Sequence, residues 1–180
     1  MKNYSGRHIY MAIAIGVIFL SPILLLLLPS FIANSVHPTP AYWHVLVPKE
    51  SYLLYGIAFL MLFIAPLIIF IFDVKRITIT IGIIFLCFSG FFFFLASFHY
   101  ISIGSDSIKY REGFFEVEYQ YRWDEISRVK YNEVPKSEGF SEYNIYFMDE
   151  NMINLPENGK IKEFRRAITN TLQEENIIIE

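Results

Sequence analysis

The sequence predicts a membrane domain of three transmembrane α-helices followed by a soluble α+β domain. Three observations carry this. First, three runs, Ile9–Leu28, Tyr52–Phe72 and Ile77–Phe98, contain no Asp, Glu, Lys or Arg. Each has about 20 residues, which at a rise of about 1.5 Å per residue makes about 30 Å of helix, the thickness of a bilayer's hydrocarbon core. Second, charge is segregated. Residues 1–98 hold five basic and two acidic residues, whereas residues 99–180 hold ten and sixteen. Two such compositions belong to two solvents and set the domain boundary at 98/99. Third, after Phe98 the apolar residues switch to a period of two, the period of a half-buried strand.

The membrane domain, residues 1–98, reads as helices over about 9–32, 52–72 and 77–98. Lys2 and Arg7 precede the first run, but that run is long for a secretory h-region and Ile32-Ala33-Asn34-Ser35 is a poor small-x-small cleavage site, so a retained helix is expected. Pro22 predicts a kink near Ser21, with the freed carbonyl satisfied from neighbouring helices. Asn34 to Glu50 reads as a loop broken by Pro38, Pro40 and Pro48, with Tyr42, Trp43 and His44 suited to the headgroup layer. Pro66 is a second kink site. Asp73-Val74-Lys75-Arg76 is so short that the helices on either side must be antiparallel neighbours. Ala12 and Gly16 form a small-xxx-small pair able to admit a close helix contact.

The soluble domain, residues 99–180, begins with expected strands at Tyr100–Ile103 and Ser107–Arg111. Glu112-Gly113 reads as a tight turn into a strand whose apolar face is Phe115, Val117, Tyr119, Tyr121 and Trp123. Further strands are expected at Ile126–Asn132, Tyr143–Met148 and Met152–Leu155, with a loop over 135–141. Asn158 can cap a final helix on which Ile161, Phe164, Ile168 and Leu172 form one stripe. Ile177–Ile179 is a candidate last strand. The expected core is Phe115, Val117, Tyr119, Tyr121, Ile126, Ile161, Phe164, Ile168 and Leu172.

Strands in a meander, a Gly-aromatic hairpin at Gly113-Phe114-Phe115, the step Trp123-x-x-Ile126-x-x-Val129 and one closing helix together resemble the bacterial PH-like (pleckstrin-homology-like) domains that follow membrane helices. The resemblance covers about residues 99–175. It implies a binding or scaffolding module and transfers no site residue. Arg111-Glu112-Gly113 is not the basic strand-loop-strand with which phosphoinositide-binding members hold headgroups.

Chemistry-bearing motifs are few. His8, His37, His44 and His99 have no metal-ligand spacing, and Cys87 stands alone, so no Cys-based zinc site forms within one chain. Glu116 and Glu118 fall on a polar strand face. Asp124-Glu125 and Glu174-Glu175 need no role beyond solvation. Ser105 and Ser107 have no neighbouring histidine, and no nucleophile elbow or phosphate-binding loop occurs. The reading assigns no catalytic, cofactor-binding or metal-binding residue and no cofactor. It expects a non-enzymatic integral protein of the plasma membrane whose soluble domain binds a protein. The alternatives are an immunity protein against a membrane-active toxin, which a neighbouring toxin gene would favour, and an accessory subunit of a membrane enzyme or transporter, which a stable co-purifying partner would reveal. An acidic soluble domain argues against nucleic acid as partner. Basic residues near the span ends set orientation. Lys2, Arg7, Lys75 and Arg76 on one side outnumber Lys49, Lys109 and Arg111 on the other, so the N-terminus is expected in the cytoplasm and residues 99–180 outside.

Overall fold

The computed structural model describes residues 6–37, 42–135, 137 and 139–180. Lys2, Pro38, Pro40, Lys136 and Glu138 of the expectations above lie outside the described residues, as does the side chain of Tyr42. Three long apolar helices are followed by two small antiparallel sheets and a C-terminal helix. The chain divides into two compact units. One comprises Met1–Pro38, Val45–Ile101 and Arg111–Val117, the other Thr39–His44, Ser102–Tyr110 and Glu118–Glu180.

The first unit holds α1 (Arg7–Val36), α2 (Lys49–Phe72) and α3 (Arg76–Ala96), each long and apolar enough to cross a membrane. α1 runs on through Pro22 and Pro29. Pro22 has no N–H to offer the Ile18 carbonyl, and the hydroxyl of Ser21 donates to that oxygen at 3.3 Å. The freed acceptor is thus met from the same helix, not from a neighbour as expected.

α2 and α3 run antiparallel. A Cβ on Gly82 would meet Ile69 Cδ1 at 2.9 Å and the Ala65 carbonyl at 3.3 Å, so the missing side chain lets the backbones approach. Further along the contact, Ser89 Oγ donates to the Ala58 carbonyl at 2.8 Å, and Phe93 meets Phe59 edge to face at 5.0 Å. Gly16, by contrast, has open space where its Cβ would be, and Ala12 is exposed. The small pair singled out in the sequence is therefore not the close contact. Between α2 and α3, Asp73 takes a left-handed conformation with φ 67°. Thr78 Oγ1 closes the turn by accepting the Lys75 N–H at 3.0 Å and donating to the Asp73 carbonyl at 2.6 Å. Arg7 pairs with Asp73 at 3.5 Å, so the start of α1 and the end of α2 share one end of the bundle.

The segment between α1 and α2, expected as a loop, contains a strand, β1 (Tyr42–Leu46). Asn34 near the end of α1 holds its backbone: the amide nitrogen donates to the Val45 carbonyl at 3.3 Å and the amide oxygen accepts the Val45 N–H at 3.4 Å. Val45, Ala33 and Tyr100 form a small buried cluster there.

β1 is the edge of a four-stranded sheet, β1-β2-β3-β4, completed by β2 (Tyr100–Gly104), β3 (Ser107–Arg111) and β4 (Tyr119–Arg122). β3 and β4 are antiparallel, with Ile108 opposite Tyr121 and Tyr110 opposite Tyr119. The expected strand from Phe114 is thus cut to its second half. Residues 112–118 form an open loop, and Phe115 and Val117, expected in the core, are 89% and 67% exposed. Arg111 is the reason. Its Nε donates to the carbonyls of Gly113 (2.9 Å) and Glu116 (3.1 Å), and one terminal nitrogen donates to that of Phe114 (2.7 Å). Acceptors that a sheet ladder would use are taken by one guanidinium.

In the second unit, a 3-10 turn over Trp123–Glu125 leads into β5 (Ile126–Asn132), which pairs with β6 (Glu142–Phe147), and β6 pairs with β7 (Met152–Pro156). Glu125 caps the 3-10 turn by accepting the Arg122 N–H at 2.7 Å. Trp123, Ile126 and Val129 are all buried. α4 (Gly159–Glu174) is capped by Asn158, whose Oδ1 accepts the Ile161 N–H at 3.1 Å. It ends in a Schellman motif: Asn176 is left-handed (φ 59°) and donates to Gln173, and Ile177 donates to Leu172. The tail then makes a single parallel bridge, Val129 to Ile179, in place of the expected strand.

The core of this unit gathers Ile108, Tyr110, Tyr121, Trp123, Ile126, Val129, Ile145, Phe147, Leu155, Ile161, Ile168 and Leu172. Tyr119 and Phe164 are only half-buried, a correction to the expected core. Phe164 lies against the rings of Trp43 and His44, at 6.1 and 6.3 Å. Leu172→Ala, at a fully buried position, should cost roughly 2–5 kcal/mol. Phe164→Ala should cost roughly 1–2 kcal/mol, because only part of the ring leaves water. Thermal unfolding of the full chain in detergent, followed by near-ultraviolet circular dichroism, should give that order.

Candidate functional site: an acidic cleft walled by tryptophan

The second unit carries an open cleft of about 670 Å³, lined by Trp43, Ser105, Asp106, Ser107, Gln120, Arg122, Trp123, Asp124, Thr171, Glu174 and Glu175. Four stretches of chain converge there: β1, the β2–β3 turn, the end of β4 with the 3-10 turn, and the last turn of α4. Trp123 is buried and fixed by its indole N–H, which donates to the Gly104 carbonyl at 3.1 Å. Trp43 lies 6.2 Å from it and also stacks on Phe164, at 6.1 Å. Two aromatic rings thus form a stiff wall whose rotamers are set by packing.

The polar lining is strongly one-sided. Asp106, Asp124, Glu174 and Glu175 oppose a single cation, Arg122, whose Nε is 3.4 Å from Asp124. Glu174 and Glu175 stand at the C-terminal end of α4, where the helix's own carbonyls already concentrate negative potential, and its last turn has no basic residue. Chemically the carboxylates of this lining can attract positive charge. Ser105 and Ser107, set aside in the sequence for lack of a histidine partner, line the cleft, and no histidine does. Glu116 and Glu118, the other carboxylate pair weighed, lie elsewhere; Glu118 pairs with Lys109 at 2.7 Å. Trp43, expected at the headgroup layer, was missed as a cleft residue. Its neighbours in the site are distant in sequence, and no local signal links them.

The histidines do not come together. His8, on α1, lies near Phe70 on α2, His37 stacks on Tyr100 at 3.8 Å, His44 faces Phe164, and His99 has Nδ1 buried without a hydrogen-bond partner. Among the described residues no group of three or more His, Cys, Asp or Glu side chains could hold a metal ion. A smaller, apolar crevice of about 270 Å³ lies among α1, α2 and α3, walled by residues such as Ile13, Pro66, Ile69 and Gly82.

A second polar cluster is structural. The Tyr121 hydroxyl donates to Asp149 Oδ2 at 2.6 Å, and Asn151 Nδ2 donates to the same carboxylate oxygen at 2.8 Å and to Tyr121 at 2.7 Å. Tyr121's hydrogen bond holds the Asp149 carboxyl below its usual range. Burial, followed by the bond to Asp149, pushes the Tyr121 phenol up. A carboxyl lowered by folding stabilises above its unfolded value and loses that contribution as pH falls through the folded one; a raised phenol stabilises below about 10 and loses it as pH rises. Asp149→Asn should therefore flatten the acid limb of the stability–pH curve below about pH 4, and Tyr121→Phe the alkaline limb above about pH 10. Thermal melts across that range check both.

No protein-family model, curated protein or solved structure matches the chain.

Proposed function

We propose that the chain is a multi-pass plasma-membrane protein whose soluble unit is a non-catalytic binding module of PH-like fold, and that its cleft receives a basic side chain of a protein partner. The cleft carries the reading: a tryptophan-walled recess with four carboxylates, one arginine and no nucleophile–base pair among its lining residues. Meandering antiparallel strands closed by a C-terminal helix support the PH-like assignment. The acidic lining supports a lysine or arginine ligand over a phosphate-bearing headgroup, which four carboxylates would repel.

A hexalysine peptide titrated onto the full chain in detergent should alter Trp43 emission. Each exposed charge contact is worth roughly 0.2–1 kcal/mol, so Asp106→Asn, Glu174→Gln and Glu175→Gln together should weaken binding about tenfold. Salt at about 1 M, where the Debye length is about 3 Å, should do the same. Equal affinity in the triple variant would remove the cleft as the binding site.

Orientation follows the basic residues. Arg7 is joined to Asp73, next to Lys75 and Arg76, at one end of the bundle, and the positive-inside tendency puts that end in the cytoplasm. The soluble unit is then extracytoplasmic. Ser137→Cys, in a Cys87→Ser background, should react with a membrane-impermeant thiol reagent on intact cells. Reaction only after lysis would reverse the orientation.

A further inference from the structure

We propose that the loop between β3 and β4 is a membrane-interface anchor, whose apolar tip, Phe115 with Val117, inserts among the lipids of the bilayer that α3 crosses. The proposal rests on the membrane-spanning reading of α3. Its warrant is a continuous aromatic ladder within one compact unit, to which both the helices and residues 111–117 belong. Phe94, in the last turn of α3, is 52% exposed on a helix that is otherwise lipid-facing in composition. From there Phe98 follows edge to face at 4.9 Å, then Phe114 at 5.0 Å from Phe98, then Phe115 at 5.0 Å from Phe114. The ladder leaves the membrane span and ends on the most exposed large side chain of the loop.

The loop is held in this posture. Arg111 gathers three of its carbonyls, and its guanidinium lies 4.9 Å above the Phe98 ring. Gly113 lets it close, since a Cβ there would come within 3.3 Å of His99 Nε2. α3 has 21 residues, so at about 1.5 Å per residue it is about 31 Å long and its end lies at the hydrocarbon boundary. Aromatic rings are favoured at that level. Glu112 and Glu116 are exposed on the same loop, which fixes the depth at the headgroup layer and excludes deep burial. Lipid is therefore the occupant that continues what already covers Phe94.

The test uses the full chain in phosphatidylcholine vesicles, with an environment-sensitive fluorophore on Phe115→Cys in a Cys87→Ser background. Nitroxide placed high on the lipid chain should quench it more than nitroxide placed deep, and aqueous iodide should quench it weakly. The same fluorophore on the native Cys87, exposed on α3, is the control for the span and should respond to deep nitroxide. If the Cys87 probe responds and the residue-115 probe answers only to iodide, the anchor is wrong and the span stands. A residue-115 probe quenched by neither agent would place a protein surface, such as a second copy, over the loop and overturn the proposal. Failure of the Cys87 probe to sense any lipid nitroxide would overturn the spanning reading and the anchor with it.

Discussion

Hydrocarbon offers no hydrogen-bond partner to a peptide group, so a helix long and apolar enough to cross a membrane, as α1, α2 and α3 are, must meet its backbone groups from within. A helix satisfies its own backbone, so the exceptions are informative. Pro22 leaves the Ile18 carbonyl free, and Ser21, the residue just before it, supplies a hydroxyl. The turn after α2 would leave the start of α3 uncapped, and Thr78 takes the Lys75 N–H while donating to the Asp73 carbonyl. Ser89 points its hydroxyl at the Ala58 carbonyl across the α2–α3 contact. Each polar side chain within or beside the spans that makes one of these bonds answers a backbone group.

The second unit takes its shape from side-chain packing. Its core is assembled from aromatic rings stacked at short range, such as Tyr121 on Phe147 at 3.8 Å, and from aliphatic residues of β5, β6, β7 and α4. Trp43 belongs to the same unit although it is more than fifty residues upstream of β2. The unit therefore requires a segment that lies between two of the long helices in sequence. Such a contact has a long loop to close, and its entropy must be offset by packing of the Trp43, Trp123 and Phe164 rings.

Much of the layout was legible because two periodicities dominate. Uninterrupted apolar runs marked α1, α2 and α3 to within a few residues. The Trp123-x-x-Ile126-x-x-Val129 step marked three positions that are all buried, and Asn158 marked the start of α4. What misled was local pattern without tertiary context. Phe115 and Val117 alternate with glutamates as a half-buried strand would, but Arg111 captures the carbonyls around them. One long side chain thus overrode a period-two signal. β1 was hidden because its five residues lie among prolines and its pairing partners begin more than fifty residues later. The cleft was the least legible feature. Asp124-Glu125 and Glu174-Glu175 read as solvated pairs, and nothing in their spacing shows that Asp124 of the former and both of the latter converge with Trp43.

The acidic lining of that cleft bears directly on whether it is a built feature. Glu174 and Glu175 occupy the end of a helix that disfavours anions, and Asp106 and Asp124 face the same recess with Arg122 alone in opposition. For a solvated face this arrangement gives nothing back to folding, since like charges at a helix C-terminus are unfavourable by up to about 1 kcal/mol each. An arriving cation would add an attraction to these carboxylates that offsets that repulsion. The same groups that weaken the free unit would strengthen the occupied one, so a bound basic ligand should raise the unit's stability.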